Sequence, residues 1–204
     1  GAFRAAAAGD PWIDAPLPPP RPPAEPVGTH KQRAGHVAVG VGLAFGHTDA
    51  PTLQALLDAA ILAGVGGVRP APGRVLLFVG LGRDGVAPLV AAAGNLGFIT
   101  DPHDLRRRVV ACAGAPVCGS GEIPARALGP QVAQAAAGLI GAGEVIHISG
   151  CAKGCAHRGP AALAAIGRAG QCDLLVDGAP AGSVGIETLP HAIARLARQR
   201  GTHG

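Results

Sequence analysis

Regular hydrophobic spacing begins at His36 and runs almost to the end of the chain. HVAVGVGLAF alternates small and branched apolar residues and predicts a strand. Asp49-Ala50-Pro51 then opens PTLQALLDAAILAG. An aspartate suited to cap a helix, an early proline and Gly64 at the far end predict where that helix starts and stops. GGVRPAP and RVLLFVGL predict two strands, the second a short apolar run. APLVAAAGNLG predicts a helix ending near Gly94 and Gly97, and Asp101-Pro102 in FITDP predicts a turn. The order β-α-β-β-α over residues 36–103 predicts a ferredoxin-like half domain.

A second region spans residues 104–204. RRRVVAC predicts a strand ending at Cys112, and EVIHISG a strand leading to Cys151. Between them IPARALGPQVAQAAAGLI predicts an amphipathic helix that Pro130 should kink or divide. AALAAIGRAG, CDLLVDGA and AGSVGIET predict a small strand system. IETLPHAIARLARQ closes the region as a helix, with Arg195, Arg198 and Arg200 near its C-terminus, where the helix dipole favours cations. Both cysteine loops therefore leave strand ends at one sheet edge, where open α/β arrangements bind ligands. Residues 1–35 differ: they are dense in proline, lack periodic hydrophobics and cannot bury enough apolar surface to offset ordering entropy, which predicts a linker or mobile arm. Trp12 in that arm reads as an isolated surface anchor. The fold class is α+β.

Composition narrows the function classes. Of 204 residues 48% are hydrophobic, but these are mostly Ala and Val interrupted by glycines and charges. No run of 18 or more purely apolar residues occurs, so no membrane span is expected. The net charge of +4 suits an anionic partner. Aromatics at 2% leave little for base stacking, so nucleic acid is not an expected partner. GLGRDGV lacks the lysine-serine pair of a phosphate loop and matches the dinucleotide fingerprint poorly. No secretory segment opens the chain, which predicts a cytoplasmic protein. The chain starts at Gly1 and has no methionine, as a fragment or processed product would.

Four of five cysteines form two clusters, Cys112-x₅-Cys118 and Cys151-x₃-Cys155, each in a glycine-rich loop. Three readings compete. Zinc sites favour two to four residues between paired ligands, which suits the second cluster better than the first. Disulfides need an oxidising compartment, and a chain this long can bury a core without them. An iron–sulfur cluster needs four thiolates on loops whose N–H groups face the sulfurs, and Gly114, Gly119, Gly121, Gly150 and Gly154 would allow that approach. Cys172 stands apart and reads as a core thiol.

The spacing C-x₅-C followed by C-x₃-C resembles the [4Fe–4S] motif of the nitrite and sulfite reductase superfamily. RRRVVACAGAPVC and HISGCAKGCAHRGPAAL resemble its precorrin-3B synthase branch more closely. Ala152-Lys153-Gly154 replaces the proline-asparagine type of sequence usual in the sirohaem enzymes. The resemblance covers about residues 36 to 200. It implies a reductase-type cluster-binding domain over 104–204, with Cys112, Cys118, Cys151 and Cys155 holding a [4Fe–4S] cluster. It also implies O₂-dependent hydroxylation and lactone formation on precorrin-3A, a mononuclear non-haem iron, and an external electron donor (NADH through a reductase, or a ferredoxin). Family members have two similar halves with the cysteines in the second, so a first-half domain is an implied partner. A sirohaem nitrite or sulfite reductase domain and a non-catalytic zinc or interaction module are the alternatives. No catalytic residue is assigned.

Four further residues are candidate substrate contacts. Strand alternation would send Arg106 and Arg108 to one face near the cluster edge, with Arg107 opposite, and guanidinium forks suit the carboxylates of a tetrapyrrole. Lys153, between two cysteines, would offset thiolate charge. His157 is a candidate proton carrier or iron ligand, though a hydrogen-bonded surface histidine is the plainer reading. His147 reads as a core group behind the second loop.

Overall fold

A computed structural model of the chain describes residues 24–139, 141 and 143–201. The expectations for residues 1–23, including the proline-rich arm and Trp12, lie outside the described residues.

The first sheet contains β1 (Gly28–Lys31), β2 (Val37–Gly42), β3 (Gly67–Ala71) and β4 (Val75–Leu81), in the order β1-β2-β4-β3 and antiparallel throughout. Two helices, α1 (Ala50–Leu62) and α2 (Arg83–Asn95), complete the unit. Val39, Val41 and Phe78 of the sheet share one buried core with Leu56 and Ala60 of α1 and with Leu89 and Ala93 of α2. The expected cap is present: Asp49 accepts the Thr52 N–H at 2.7 Å. Gly64, at φ +77°, turns the chain after α1.

Residues 28–31, expected in the arm, instead form the edge strand β1. The strand lacks an apolar run and is held by backbone pairing to β2 and by Val27, which is buried with Val75 and Ile99. Gly40 is what lets it approach, since a Cβ there would stand 1.7 Å from the Pro26 carbonyl oxygen. Helix α2 also starts earlier than expected, at Arg83, because Gly82 is extended and Pro88 is accommodated inside the helix.

The second sheet contains β5 (Val109–Ala111), β6 (Ile146–Ser149), β7 (Leu163–Arg168), β8 (Gln171–Val176) and β9 (Ala179–Gly185), in chain order. β5, β6 and β7 are parallel, whereas β7-β8-β9 is an antiparallel meander. Ala169-Gly170 and Asp177-Gly178, all at positive φ, make its two tight turns. Helices α3 (Ala125–Ala135) and α4 (Leu189–Gly201) cover this sheet, bringing Leu128, Val132, Leu189 and Ile193 onto Ile146, Ile148, Leu163 and Leu174.

Two expectations are corrected here. Pro130 does not divide α3; it lies exposed within one continuous helix, which ends at Ala135. RRRVVAC is a strand only over its last part. Leu105–Arg108 is a 3₁₀ turn, because the Asp104 carboxylate accepts the Arg106 N–H at 2.9 Å and so caps a turn in place of an extended start. The two sheets are joined by Phe45, which leaves the first unit to pack in the second core; a Cβ at Gly129 would stand 2.7 Å from its ring. Among the described residues no helix is long and apolar enough to cross a membrane.

Candidate metal centre

β5 and β6 are adjacent and parallel, so their C-terminal ends open at the same edge of the sheet. Cys112 directly follows β5, and Cys151 follows β6 after Gly150. The ladder extends into the first loop, where the Cys112 N–H donates to Ile148 O at 3.3 Å. That loop then folds on itself: the Cys118 N–H donates to Gly114 O, and the Gly121 N–H to Cys118 O, each at 2.8 Å. The Glu122 N–H donates to Gly150 O at 2.7 Å, tying the first loop to the second.

Glycine makes this contact possible. A Cβ on Gly150 would lie 2.9 Å from the Gly114 Cα and 3.3 Å from the Cys112 sulfur. On Gly121 it would lie 2.5 Å from the Ala115 nitrogen, and on Gly114 2.3 Å from the Ala125 nitrogen. Gly119 faces open space, the one of the five loop glycines whose Cβ would meet nothing within 4 Å. Gly154 needs its freedom for another reason, a φ of +61°.

One hydrogen bond already addresses a sulfur: the Gly150 N–H donates to Cys112 Sγ at 3.1 Å. Bonds of this kind stabilise thiolate charge. Cys112, Cys118 and Cys151 are half-buried and Cys155 is exposed. Among the described residues no three His, Cys, Asp or Glu side chains are arranged to hold a metal ion. The donor set nevertheless fits a thiolate-bound cluster, because four soft ligands sit on two loops stitched backbone to backbone, with an amide directed at one of them.

The other candidates divide. Lys153 joins the loops, donating from Nζ to the Ser120 hydroxyl at 2.9 Å. Neither Arg106 nor Arg107 is engaged at the cysteine loops. Arg106 is engaged with Asp104 at 2.6 Å and donates to Gly97 O at 2.9 Å. Arg107 pairs with Glu25 at 2.7 Å and donates to Pro102 O. Arg108 has no carboxylate partner among the described residues. The one-face alternation expected of Arg106 and Arg108 fails because they lie on a 3₁₀ turn, not a strand.

His157 Nε2 and Pro160 O lie 3.0 Å apart. Its ring meets His147 edge-on, with centroids 5.9 Å apart. His147 is 6% exposed, and its Nε2 is buried without a hydrogen-bond partner. Burial, and secondarily the charge of His157, hold its pKa below the ordinary imidazole value, so it is neutral near pH 7. Both rings line a cavity of about 660 Å³ with Ala164, Leu175 and Asp177.

Three contributors were not singled out from sequence. Ser149 is buried and donates to Cys151 O at 2.6 Å, which shapes the second loop. A serine just before Gly-Cys is a legible local-turn signal. Ser120 owes its part to Lys153, on a loop distant in sequence. Arg126, in the first turn of α3 just after the first loop, has a buried Nε with no hydrogen-bond partner.

Comparison with known proteins adds relatives to this geometry. No family model matches the chain. Precorrin-3B synthase from Sinorhizobium sp. is 31% identical over 183 residues, covering 88% of this chain and 40% of that protein. Sulfite reductase [ferredoxin] 2 from Mycolicibacterium paratuberculosis is 31% identical over 182 residues, covering 85% of this chain and 32% of that protein. The structure of the NirA protein of Mycobacterium tuberculosis superposes with a TM-score of 0.72 at 23% identity, over 92% of this chain and 40% of that one. The chain thus spans less than half the length of each of these relatives.

Proposed function

Because the chain belongs to the nitrite and sulfite reductase superfamily, we propose that Cys112, Cys118, Cys151 and Cys155 hold one [4Fe–4S] cluster in the electron-transfer portion of a precorrin-3B synthase-like oxidoreductase. The observation that carries this reading is the pairing of two cysteine loops at one sheet edge, with the Gly150 N–H already donating to Cys112 Sγ. When bound, such a cluster supplies one-electron transfer. The chain's own residues do the rest locally. Gly114, Gly121 and Gly150 bring the loops together, Ser149 shapes the second loop, and Lys153 places a positive charge beside thiolates and bound anion alike.

The reaction assigned to the whole enzyme is O₂-dependent hydroxylation of precorrin-3A with lactone formation to give precorrin-3B, with electrons from an external donor. A polycarboxylate tetrapyrrole agrees with the net charge of +4. Of the basic candidates, Lys153 is the one at the cluster loops; Arg106 is spent on Asp104. A mononuclear non-haem iron belongs to the same reading, with its ligands unassigned. The sulfite reductase relative supports a second reading, a sirohaem-dependent reductase domain.

Anaerobic purification followed by iron and acid-labile sulfide analysis tests the centre, together with EPR of the reduced protein. Four irons and four sulfides per chain with a cluster signal are expected. Zinc without sulfide would overturn the reading in favour of a non-catalytic module. Soret and α-type bands in the visible spectrum would move it to the sirohaem enzymes. Cys118→Ser is expected to abolish the cluster absorbance, and unchanged absorbance removes Cys118 from the ligand set.

A further inference from the structure

We propose that Arg74 is a positioning residue for the first cysteine loop: from the first sheet it grips the chain just ahead of Cys112 and fixes where β5 begins. This inference deepens the cluster reading and rests on it for its bearing on the metal centre. The contact itself stands independently.

Arg74 sits in the turn between β3 and β4, far from the cysteines in sequence. Its guanidinium reaches the other sheet, where Nη1 donates to Val109 O at 3.1 Å and Nη2 to Arg107 O at 2.9 Å. These two carbonyls flank the point where the 3₁₀ turn becomes strand β5. A planar fork holding two carbonyls two residues apart fixes both position and direction of that backbone.

β5 needs such support. It has three residues and lies at the edge of its sheet, paired only with β6 through Val109↔Ile146, Val110↔His147 and Ala111↔Ile148. So short an edge strand has few ladder bonds to resist slipping or fraying. A shift of β5 would carry Cys112 with it and break the Gly150 N–H bond to its sulfur.

The arginine is itself held to this task. It adopts φ +64°, a conformation that glycine or asparagine would occupy at less cost. Its backbone oxygen accepts the Leu43 N–H at 2.8 Å, and its Cδ lies where a Cβ on Gly46 would come within 3.0 Å. Arg74 has no carboxylate partner among the described residues. Burial pulls its pKa down, and the nearby charge of Arg107 adds to this, so the contact is kept despite an electrostatic cost. Arg107 in turn is tied to Glu25, a second contact on the same turn.

The test compares wild type with Arg74→Met, which keeps an apolar stem, and Arg74→Lys, which keeps the charge but not the fork. Hydrogen–deuterium exchange is followed on the metal-free protein, with α1 as an internal reference. Loss of charge-assisted hydrogen bonds to two carbonyls is expected to speed exchange over Val109–Cys112 by about tenfold or more in Arg74→Met, with α1 unchanged. Arg74→Lys is expected to fall between the two. After anaerobic reconstitution, iron and sulfide per chain are expected to follow the same order. Wild-type exchange at 109–112 in Arg74→Met overturns the proposal. So does a uniform rise over all elements, which would make Arg74 a general stability residue. Should Arg74→Met not fold, Arg74→Lys decides by the same criteria. A wild type without cluster would sink the proposed function while leaving the exchange result to judge Arg74.

Discussion

At the scale of single residues, the cysteines separate by environment. The four loop cysteines are half-buried or exposed, whereas Cys172 is fully enclosed in the core. Burial, and then the neighbouring charge of Asp173, push its thiol up to about 11 from an ordinary value of 9.0. A folded-state pKa above the unfolded one means the fold favours the protonated thiol. That contribution is whole below pH 9.0 and is lost as pH rises through about 11. It amounts to about 3 kcal/mol. The metal-free protein is therefore expected to lose thermal stability over this range more steeply than Cys172→Ala, in matched melting curves. Equal slopes would show that the thiol does not titrate as its burial dictates. Alkylation at pH 8 should likewise reach Cys172 only on unfolding.

At the scale of elements, the decisive contact is that of the two loops with the strand beside them. A Cβ on Gly167, at the far end of β7, would stand 2.5 Å from Gly150 O and 2.8 Å from Ile123 Cγ1. Gly150 O is also the acceptor of the Glu122 N–H, so a push there loosens both cysteine loops together. Gly167→Ala is expected to destabilise the metal-free protein by about 1–3 kcal/mol in urea unfolding. Gly119→Ala, one residue from Cys118 but facing open space, should stay within about 0.5 kcal/mol of wild type. Comparable losses in both would show that close packing at Gly167 is not what sets the cost, since the reduced chain entropy of the alanine variants favours folding. Most elements were legible in the pattern of apolar residues, and so was the capping of α1. The strand start at Arg106 was not, because Asp104 offered its carboxylate to a local N–H and turned the chain before strand pairing could extend it.

For the whole molecule, the two α+β units are bound to each other by Phe45, Arg74 and the Glu25–Arg107 pair. The first sheet thus acts as a support for the loops of the second. If the proposed precorrin-3B synthase-like function holds, the chain, which spans less than half of its relatives' length, is expected when assayed alone to bind a cluster but to convert precorrin-3A slowly. Adding the first-half portion of such an enzyme should raise the rate without changing iron content. Full turnover by the isolated chain would show that it carries a complete substrate site.

What the sequence determined by itself was local: which stretches are strand or helix, and that two glycine-rich loops carry paired thiols suited to a soft metal centre. Periodicity, capping and ligand chemistry depend on neighbours along the chain, and these can be read in order. The Glu25 partner of Arg107 and the partners of Lys153 and Cys112 were decided by tertiary structure, whereas Arg106 is engaged in part by its near neighbour Asp104. The Gly97 carbonyl, the Ser120 hydroxyl, the Gly150 N–H and the Glu25 carboxylate that engage them lie 9 to 82 residues away in the chain. Folding alone brings those groups within hydrogen-bonding distance. The cysteine pattern supplies the candidate ligands of the proposed cluster, while the approach of Gly150 to Cys112 and the reach of Arg74 across two sheets decide how firmly their loops are held.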